Sequence, residues 1–189
     1  YREFIVIEDP VQDLEFVSKP GIYGYKKIDE GSQFLAETLN KDKFSLEGKV
    51  LDLGCGYGYL AASIGKNPKI ETLVATDCNV ASVMLCSHNL EELGIEALVT
   101  LDDCGSELED RTFDRIVCNP PFHQGFSTSQ DLTVKFVKNI RRLLRRKGIA
   151  YLVVNRFIAI EKVCYDEYVK CTEMSGNPQF KILKLERLK

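Results

Sequence analysis

The chain has 189 residues, 44% apolar and 28% charged, enough for one domain that buries roughly 70% of the surface its unfolded chain exposes. That composition excludes a disordered segment, a collagen-like fibre and a disulfide-stapled miniprotein. The net charge of −3 does not announce a nucleic-acid binder and leaves that question to local patches.

Residues 4–8 read as a short strand, and Pro10, Pro20 and Gly21 punctuate the segment after it. A helical run opens at Gly31-Ser32, with Phe34, Leu35 and Leu39 at helical spacing. Residues 49–53 read as a buried strand, 54–58 as a glycine-rich turn, and 59–64 as the start of a helix. The next strand, 70–76, ends at Asp77, and Asn79 is placed to cap a helix running to Leu93. Strands at 97–101 and 113–118 follow, the latter running directly into Asn119-Pro-Pro-Phe122. An amphipathic helix is expected over 131–146, stopped by Gly148. Residues 149–154 are apolar enough for a central strand. Two last strands, near 168–174 and 180–188, flank a hairpin loop at 175–178. Strands alternating with helices predict an α/β fold: a doubly wound, mostly parallel seven-stranded sheet with an antiparallel C-terminal hairpin strand. Residues 1–189 form one domain, with 1–30 as its leading segment, and Tyr rather than Met at position 1 fits a fragment of a longer protein.

The longest apolar run is 149–154, too short to span a membrane, and no secretory signal opens the chain. Seven scattered cysteines, with no C-x-x-C pair, read as small buried apolar residues in a reducing compartment, the cytoplasm. With two histidines and no ligand spacing, no metal site is expected.

The turn after the 49–53 strand reads Gly54-x-Gly56-x-Gly58. Glycines there let the backbone approach a ligand at a helix N-terminus. The dinucleotide pattern needs a sixth-position glycine, and Tyr59 stands there. Asp77, 23 residues beyond Gly54, is placed for a ribose diol. Asp52 suits an ammonium, and these groups together point to S-adenosylmethionine rather than a dinucleotide. Asp102 or Asp103 could accept from an adenine amino group, or could simply form a solvated turn.

Asn119-Pro120-Pro121-Phe122 fits chemistry on an exocyclic amino group. Such a nitrogen is a poor nucleophile because its lone pair is delocalised into the ring. The Asn119 side-chain oxygen and the Pro120 carbonyl can accept its hydrogens, the prolines stiffen the turn, and Phe122 can stack on the base.

With these residues in view, the chain resembles class I S-adenosylmethionine-dependent methyltransferases, which have a Rossmann-like fold. More narrowly, it resembles the bacterial ribosomal RNA guanine-N2 methyltransferases. The resemblance rests on Pro20-Gly-Ile-Tyr23, Ile28-Asp-Glu-Gly-Ser-Gln33, Cys118-Asn-Pro-Pro-Phe-His-Gln124, Val154-Asn-Arg156 and Phe180-Lys-Ile-Leu183. It implies that Gly54, Gly56, Gly58 and Asp77 hold the cofactor with Ser32 nearby. It also implies that Asn119 to Phe122 hold the guanine and that His123 lines the substrate pocket. Tyr23-Gly24 in place of Phe-Ser, and Phe157-Ile-Ala-Ile160 without a Tyr, depart from the family pattern. The family usually carries a second, degenerate domain ahead of this one. The implied partner is ribosomal RNA or a ribosomal subunit, without membrane or metal. Transfer to adenine N6 or a glutamine amide is the alternative within the class. A non-catalytic RNA-binding module is the alternative outside it.

Between 131 and 147 lie seven basic residues: Lys135, Lys138, Arg141, Arg142, Arg145, Arg146 and Lys147. Because the helix starts near the Asn-Pro-Pro-Phe turn, its arginine-rich end must lie at the opposite edge of the sheet. A solvated, dipole-matched helix end is favoured over an RNA face. The 124–130 loop, beside the site, is the better candidate for substrate contact.

Overall fold

The computed structural model describes residues 3–41, 45–122 and 128–188. Two strands, β1 (Ile5–Asp9) and β2 (Leu14–Ser18), form a separate antiparallel hairpin. Then come α1 (Glu30–Leu39), β3 (Gly48–Leu53), α2 (Tyr59–Gly65), β4 (Ile70–Asp77), α3 (Val80–Glu92) and β5 (Leu98–Leu101). The second half comprises β6 (Phe113–Cys118), α4 (Thr128–Leu143), β7 (Leu144–Asn155), α5 (Ile160–Asp166), β8 (Val169–Gly176) and β9 (Phe180–Arg187). The seven-stranded sheet has the order β5-β4-β3-β6-β7-β9-β8. Strands β3 to β7 pair in parallel, while β9 is antiparallel to both β7 and β8. This is the expected α/β, Rossmann-like sheet with its antiparallel C-terminal hairpin.

Both faces of the sheet are covered, so its central strands are apolar on both sides. Val50, Ala75, Val117 and Val153 face one core with α1, α2, α3 and the N-terminal hairpin. Leu51, Val74, Ile116 and Leu152 face the other, with α4 and α5.

Four elements differ from the sequence reading. Strand β2 and helix α5 are additional. Helix α4 ends at Leu143 rather than near Arg146, and β7 begins at once. The cause is local pairing: Arg111 N–H donates to Arg142 O, Thr112 N–H to Leu143 O, and Leu144 pairs with Phe113. These bonds use the carbonyls that would continue the helix, so Gly148 is not its stop. The start at Thr128 also turns part of the expected 124–130 loop into helix.

The basic residues of this region are mostly engaged. Lys135 pairs with Asp103, Lys138 with Glu167, Arg142 with Asp110 and Arg145 with Asp114. Arg142 also donates to the Gly105 and Leu108 carbonyls. Arg141 lies over the Tyr168 ring at 6.0 Å. They tie α4 and the start of β7 to neighbouring segments, in keeping with a structural role.

Asn89 of α3 pins the N-terminal hairpin to the domain. It is 2% exposed. Its oxygen accepts from Val17 N–H at 2.9 Å, and its amide donates to Val17 O at 3.0 Å and Tyr57 O at 2.8 Å. Asn89→Ala therefore leaves buried backbone groups unpaired. The expected loss is about 2–3 kcal/mol, read as a melting temperature lower by about 5–10 °C. An unchanged melting temperature would remove the pinning role.

Candidate active site

Four strands deliver the site residues to one edge of the sheet. β3 runs into the 54–58 turn, β4 ends at Asp77, β6 ends just before Asn119, and β7 ends at Asn155. β3 and β6 are neighbours, with β4 and β5 lying to one side and β7, β9 and β8 to the other. The chain therefore reverses direction across the sheet between them, and a crevice opens at their carboxyl ends.

The glycine turn is built for close approach. Gly54 and Gly56 have φ of +83° and +54°, and a Cβ at either would meet nothing within 4 Å. At Gly58 a Cβ would stand 3.1 Å from Cys86 Sγ, so that glycine serves helix packing instead. The N–H groups of Gly54 and Cys55 both donate to Thr76 O at 2.8 Å, that of Gly56 to Asp77 Oδ2 at 2.9 Å, and that of Gly58 to Cys55 O at 2.9 Å. A phosphate cradle needs such donors free. Here they are spent, and a carboxylate stands beside them. Asp77 Oδ1 accepts from Asn79 N–H at 2.8 Å, yet each carboxylate oxygen keeps a second lone pair for a hydroxyl donor. The turn thus fits the adenosine of S-adenosylmethionine and does not fit a pyrophosphate.

The other acidic candidates sit differently from expectation. Asp52 is 0% exposed and lies beneath the turn rather than at its rim. Its Oδ2 accepts from Ala61 N–H at 2.9 Å. Gly58, the N-cap of α2, has no side chain to do this, so Asp52 caps the helix from below and favours its N-terminal dipole. Its Oδ1 has no partner among the described residues. The expected direct contact with an ammonium is thus replaced by support of the turn. Asp102 is 6% exposed and accepts from Ser106 and Glu107 of its own loop. Asp103 is solvent-facing and bound to Lys135 Nζ at 2.5 Å, so an adenine amino group would compete with a lysine for it.

Asn119 is held at this edge by two hydrogen bonds. Its Nδ2 donates to Asp29 Oδ1 at 2.6 Å and to Ser32 Oγ at 2.8 Å. Both amide hydrogens are used, which leaves Oδ1 as the acceptor on offer. Asp29 is the N-cap of α1, and its Oδ1 also accepts from Ser32 N–H at 2.9 Å. Tyr23 donates its hydroxyl to Asp29 Oδ2 at 3.1 Å. Partial burial and the Asp29 carboxylate push the Tyr23 phenol up to about 12, so it remains a donor. Gly31 lets α1 come this close: a Cβ there would stand 3.3 Å from Phe180 Cε1 and 3.6 Å from Asn119 Nδ2.

The rest of the proline turn is partly as expected. Pro120 is buried and Pro121 exposed. The Pro120 carbonyl already accepts from Phe122 N–H at 2.8 Å, leaving one lone pair. Phe122 is 2% exposed and edge-on to Phe136, with ring centroids 5.6 Å apart. It anchors the turn in the core, so the expected stacking platform is not at the surface in this arrangement. His123 lies outside the described residues.

A cavity of about 400 Å³ opens beside Asn119, lined among others by Tyr23, Asp29, Asn155, Gln179 and Phe180. The sequence model of the methyltransferase small domain family matches residues 13–184. The chain belongs to the methyltransferase small domain family. Two similar curated proteins carry the name ribosomal RNA small subunit methyltransferase C. The one from Shewanella amazonensis is 32% identical over 92% of this chain and 49% of its own length. That from Actinobacillus pleuropneumoniae is 34% identical over 78% and 44%. A solved 16S rRNA N2 methyltransferase of T. thermophilus, in complex with AdoMet and guanosine, superposes with a TM-score of 0.81. It is 27% identical and covers 98% of this chain and 50% of that one. This small domain spans about half the length of the curated relatives it matches.

Sequence reasoning assigned Asp29 no task and named neither Asn155 nor Gln179 as a lining residue. Asp29 carried a usable signal, an aspartate one residue before a helix. Asn155 stood in the Val154-Asn-Arg156 motif without an assigned role and Gln179 carried no signal, because the two meet only through the β7–β9 pairing.

Burial raises the Asp52 carboxyl to about 7, with the Ala61 N–H acting against the shift and Asp77 adding to it. A raised folded value penalises the charged form. The penalty is absent below the unfolded value near 4 and complete above about 7. Asp52→Asn should therefore be more stable relative to the parent at pH 8 than at pH 4, as read by urea denaturation. A pH-independent difference would contradict the burial assignment.

Proposed function

We propose that this chain transfers a methyl group from S-adenosylmethionine to the exocyclic N2 amino nitrogen of guanine in ribosomal RNA. The observation that carries the reading is the Asn119 amide, held so that only its oxygen is left for a ligand. The guanosine bound by the similar T. thermophilus structure and the names of the curated relatives support guanine and ribosomal RNA as substrate.

Gly54, Gly56 and Asp77 would hold the cofactor, which when bound supplies a methyl made electrophilic by its sulfonium. Asn119 Oδ1 and the free lone pair of the Pro120 carbonyl accept the two amino hydrogens of the base. That draws electron density back to nitrogen and fixes the direction of its lone pair. The Asp29 carboxylate holds Asn119 in the accepting orientation. Alkylation leaves the nitrogen positively charged with both hydrogens still on it and acidic, so one of the two protons can pass to water without a strong base on the chain. The chain's seven cysteines, all free thiols, suit a reducing compartment, and we assign the activity to the cytoplasm.

The test is transfer of labelled methyl to undermodified ribosomal RNA and subunits, with digestion to nucleosides. Label is expected in N2-methylguanosine. Label in N6-methyladenosine would keep the chemistry and overturn the base; label only in protein would overturn the substrate class. Asn119→Ala should lower turnover at least about 100-fold with cofactor affinity retained. Asp29→Ala, which frees the amide to rotate, should lower it about 10- to 100-fold. Loss of cofactor affinity in either variant would contradict the assigned roles.

A further inference from the structure

Beside the Asn119 cavity lies a second groove of about 550 Å³, lined by Asn155, Arg156, Phe157, Pro178 and Gln179. The two cavities share Asn155 and Gln179, so they form one continuous surface. Phe157 is 79% exposed, and its ring meets no other ring among the described residues.

The segment that carries Phe157 is tightly held. Ile158 N–H donates to Asn155 O at 3.0 Å, closing a turn with Phe157 near its tip. Arg156 N–H donates to Gln179 O at 2.9 Å. The Arg156 guanidinium donates to Asn177 O at 2.8 Å and to Glu173 Oε1 at 3.0 Å. The turn is thereby stitched to the β8–β9 loop, which carries exposed Pro178 and Gln179. A single exposed aromatic is ordinary. An exposed aromatic on a fixed turn, opposite a proline and continuous with a polar catalytic cavity, is a flat face kept at low conformational cost.

We propose that Phe157 is a stacking ledge for the nucleobase next to the methylated guanine in single-stranded RNA, with Asn155 and Gln179 lying between the two bases. The identity of this ligand rests on the guanine-N2 reading. The geometry suits it. β7 neighbours β6, which leads to Asn119, and Asn155 at the end of β7 lines both the cavity beside Asn119 and the groove that holds Phe157. Single-stranded RNA is recognised by splaying its bases onto aromatic faces, and the guanidinium of Arg156 is already committed to the protein. Sequence preference at this position should be weak, because every base has a π-face.

The experiment uses the full chain and short single-stranded RNAs with one guanosine, carrying 2-aminopurine on its 5′ side or its 3′ side. Binding is read by anisotropy and stacking by fluorescence quenching, both apart from methyl transfer. Quenching is expected on one side only. Phe157→Ala should abolish it and weaken binding about 10- to 100-fold, the effect of losing one base–aromatic stack. Phe157→Tyr should restore both, and Tyr165→Ala, an equally exposed aromatic outside the groove, should change neither. Quenching and affinity that survive Phe157→Ala overturn the ledge, as does absence of RNA binding by the parent chain. Phe157-dependent quenching without methyl transfer by the parent chain would sink the catalytic reading and leave the ledge standing.

Discussion

A primary amide can present either its oxygen or its nitrogen to a ligand, and the chemistry of this site depends on which. An amino group of a base brings two donors. An asparagine that turned its own N–H groups toward them would repel the substrate it should orient. Asp29 decides the matter, because rotating Asn119 would set its carbonyl oxygen against a carboxylate 2.6 Å away. Asp29 is itself fixed by Ser32 N–H and the Tyr23 hydroxyl. On the proposed reading the start of α1 and the segment before it would orient Asn119 for catalysis, although they lie about ninety residues from the turn they control.

The N-terminal hairpin is tied into the same core by a residue that first matters for what it excludes. Tyr59 stands where a dinucleotide fingerprint would have its last glycine. In the structure its hydroxyl donates to Asp9 Oδ2 at 2.8 Å and accepts from Gln12, and its ring packs near Phe16. One side chain therefore closes off the dinucleotide pattern and clamps the hairpin over α2. Asp9 is held below the usual carboxylate range by the Tyr59, Gln12 and Val11 hydrogen bonds, against the opposing effect of its burial. The clamp is thus an ionised carboxylate fully supplied with donors.

Much of the parallel sheet was legible because each central strand is a short apolar run bounded by glycine, proline or a polar residue. Residues 113–118 and the strand ends at Leu53 and Leu101 match the structure for that reason. β2 was not legible: only Leu14, Phe16 and Ser18 are buried, too short an alternation to separate from a loop. The end of α4 was misread because basic residues continue the helical pattern past Leu143, while the competing hydrogen bonds come from residues 111 and 112, distant in sequence. Among the site residues, turn conformation could be read from glycine and proline. Burial could not. Asp52 and Phe122 were assigned to the ligand, and the structure gives both to the scaffold, because residue type and spacing do not say which side of a turn faces inward.

The distribution of charge bears on how such a site could hold RNA. Affinity for nucleic acid usually comes from free cations facing phosphates. On α4 and the start of β7 the lysines and arginines are largely spent on Asp103, Asp110, Asp114 and Glu167. At the crevice, Lys27 pairs with Glu30, and Arg156 serves the β8–β9 loop. Among the described residues, the groups near Asn119 include an acceptor for base hydrogens, amide side chains and an exposed ring. Those groups read a base by its edge and face rather than a backbone by its charge. A base buried in a helix presents neither freely. If the substrate is the guanine proposed above, this crevice would favour one already unpaired or turned out of its stack, with discrimination in the pocket instead of in long-range attraction.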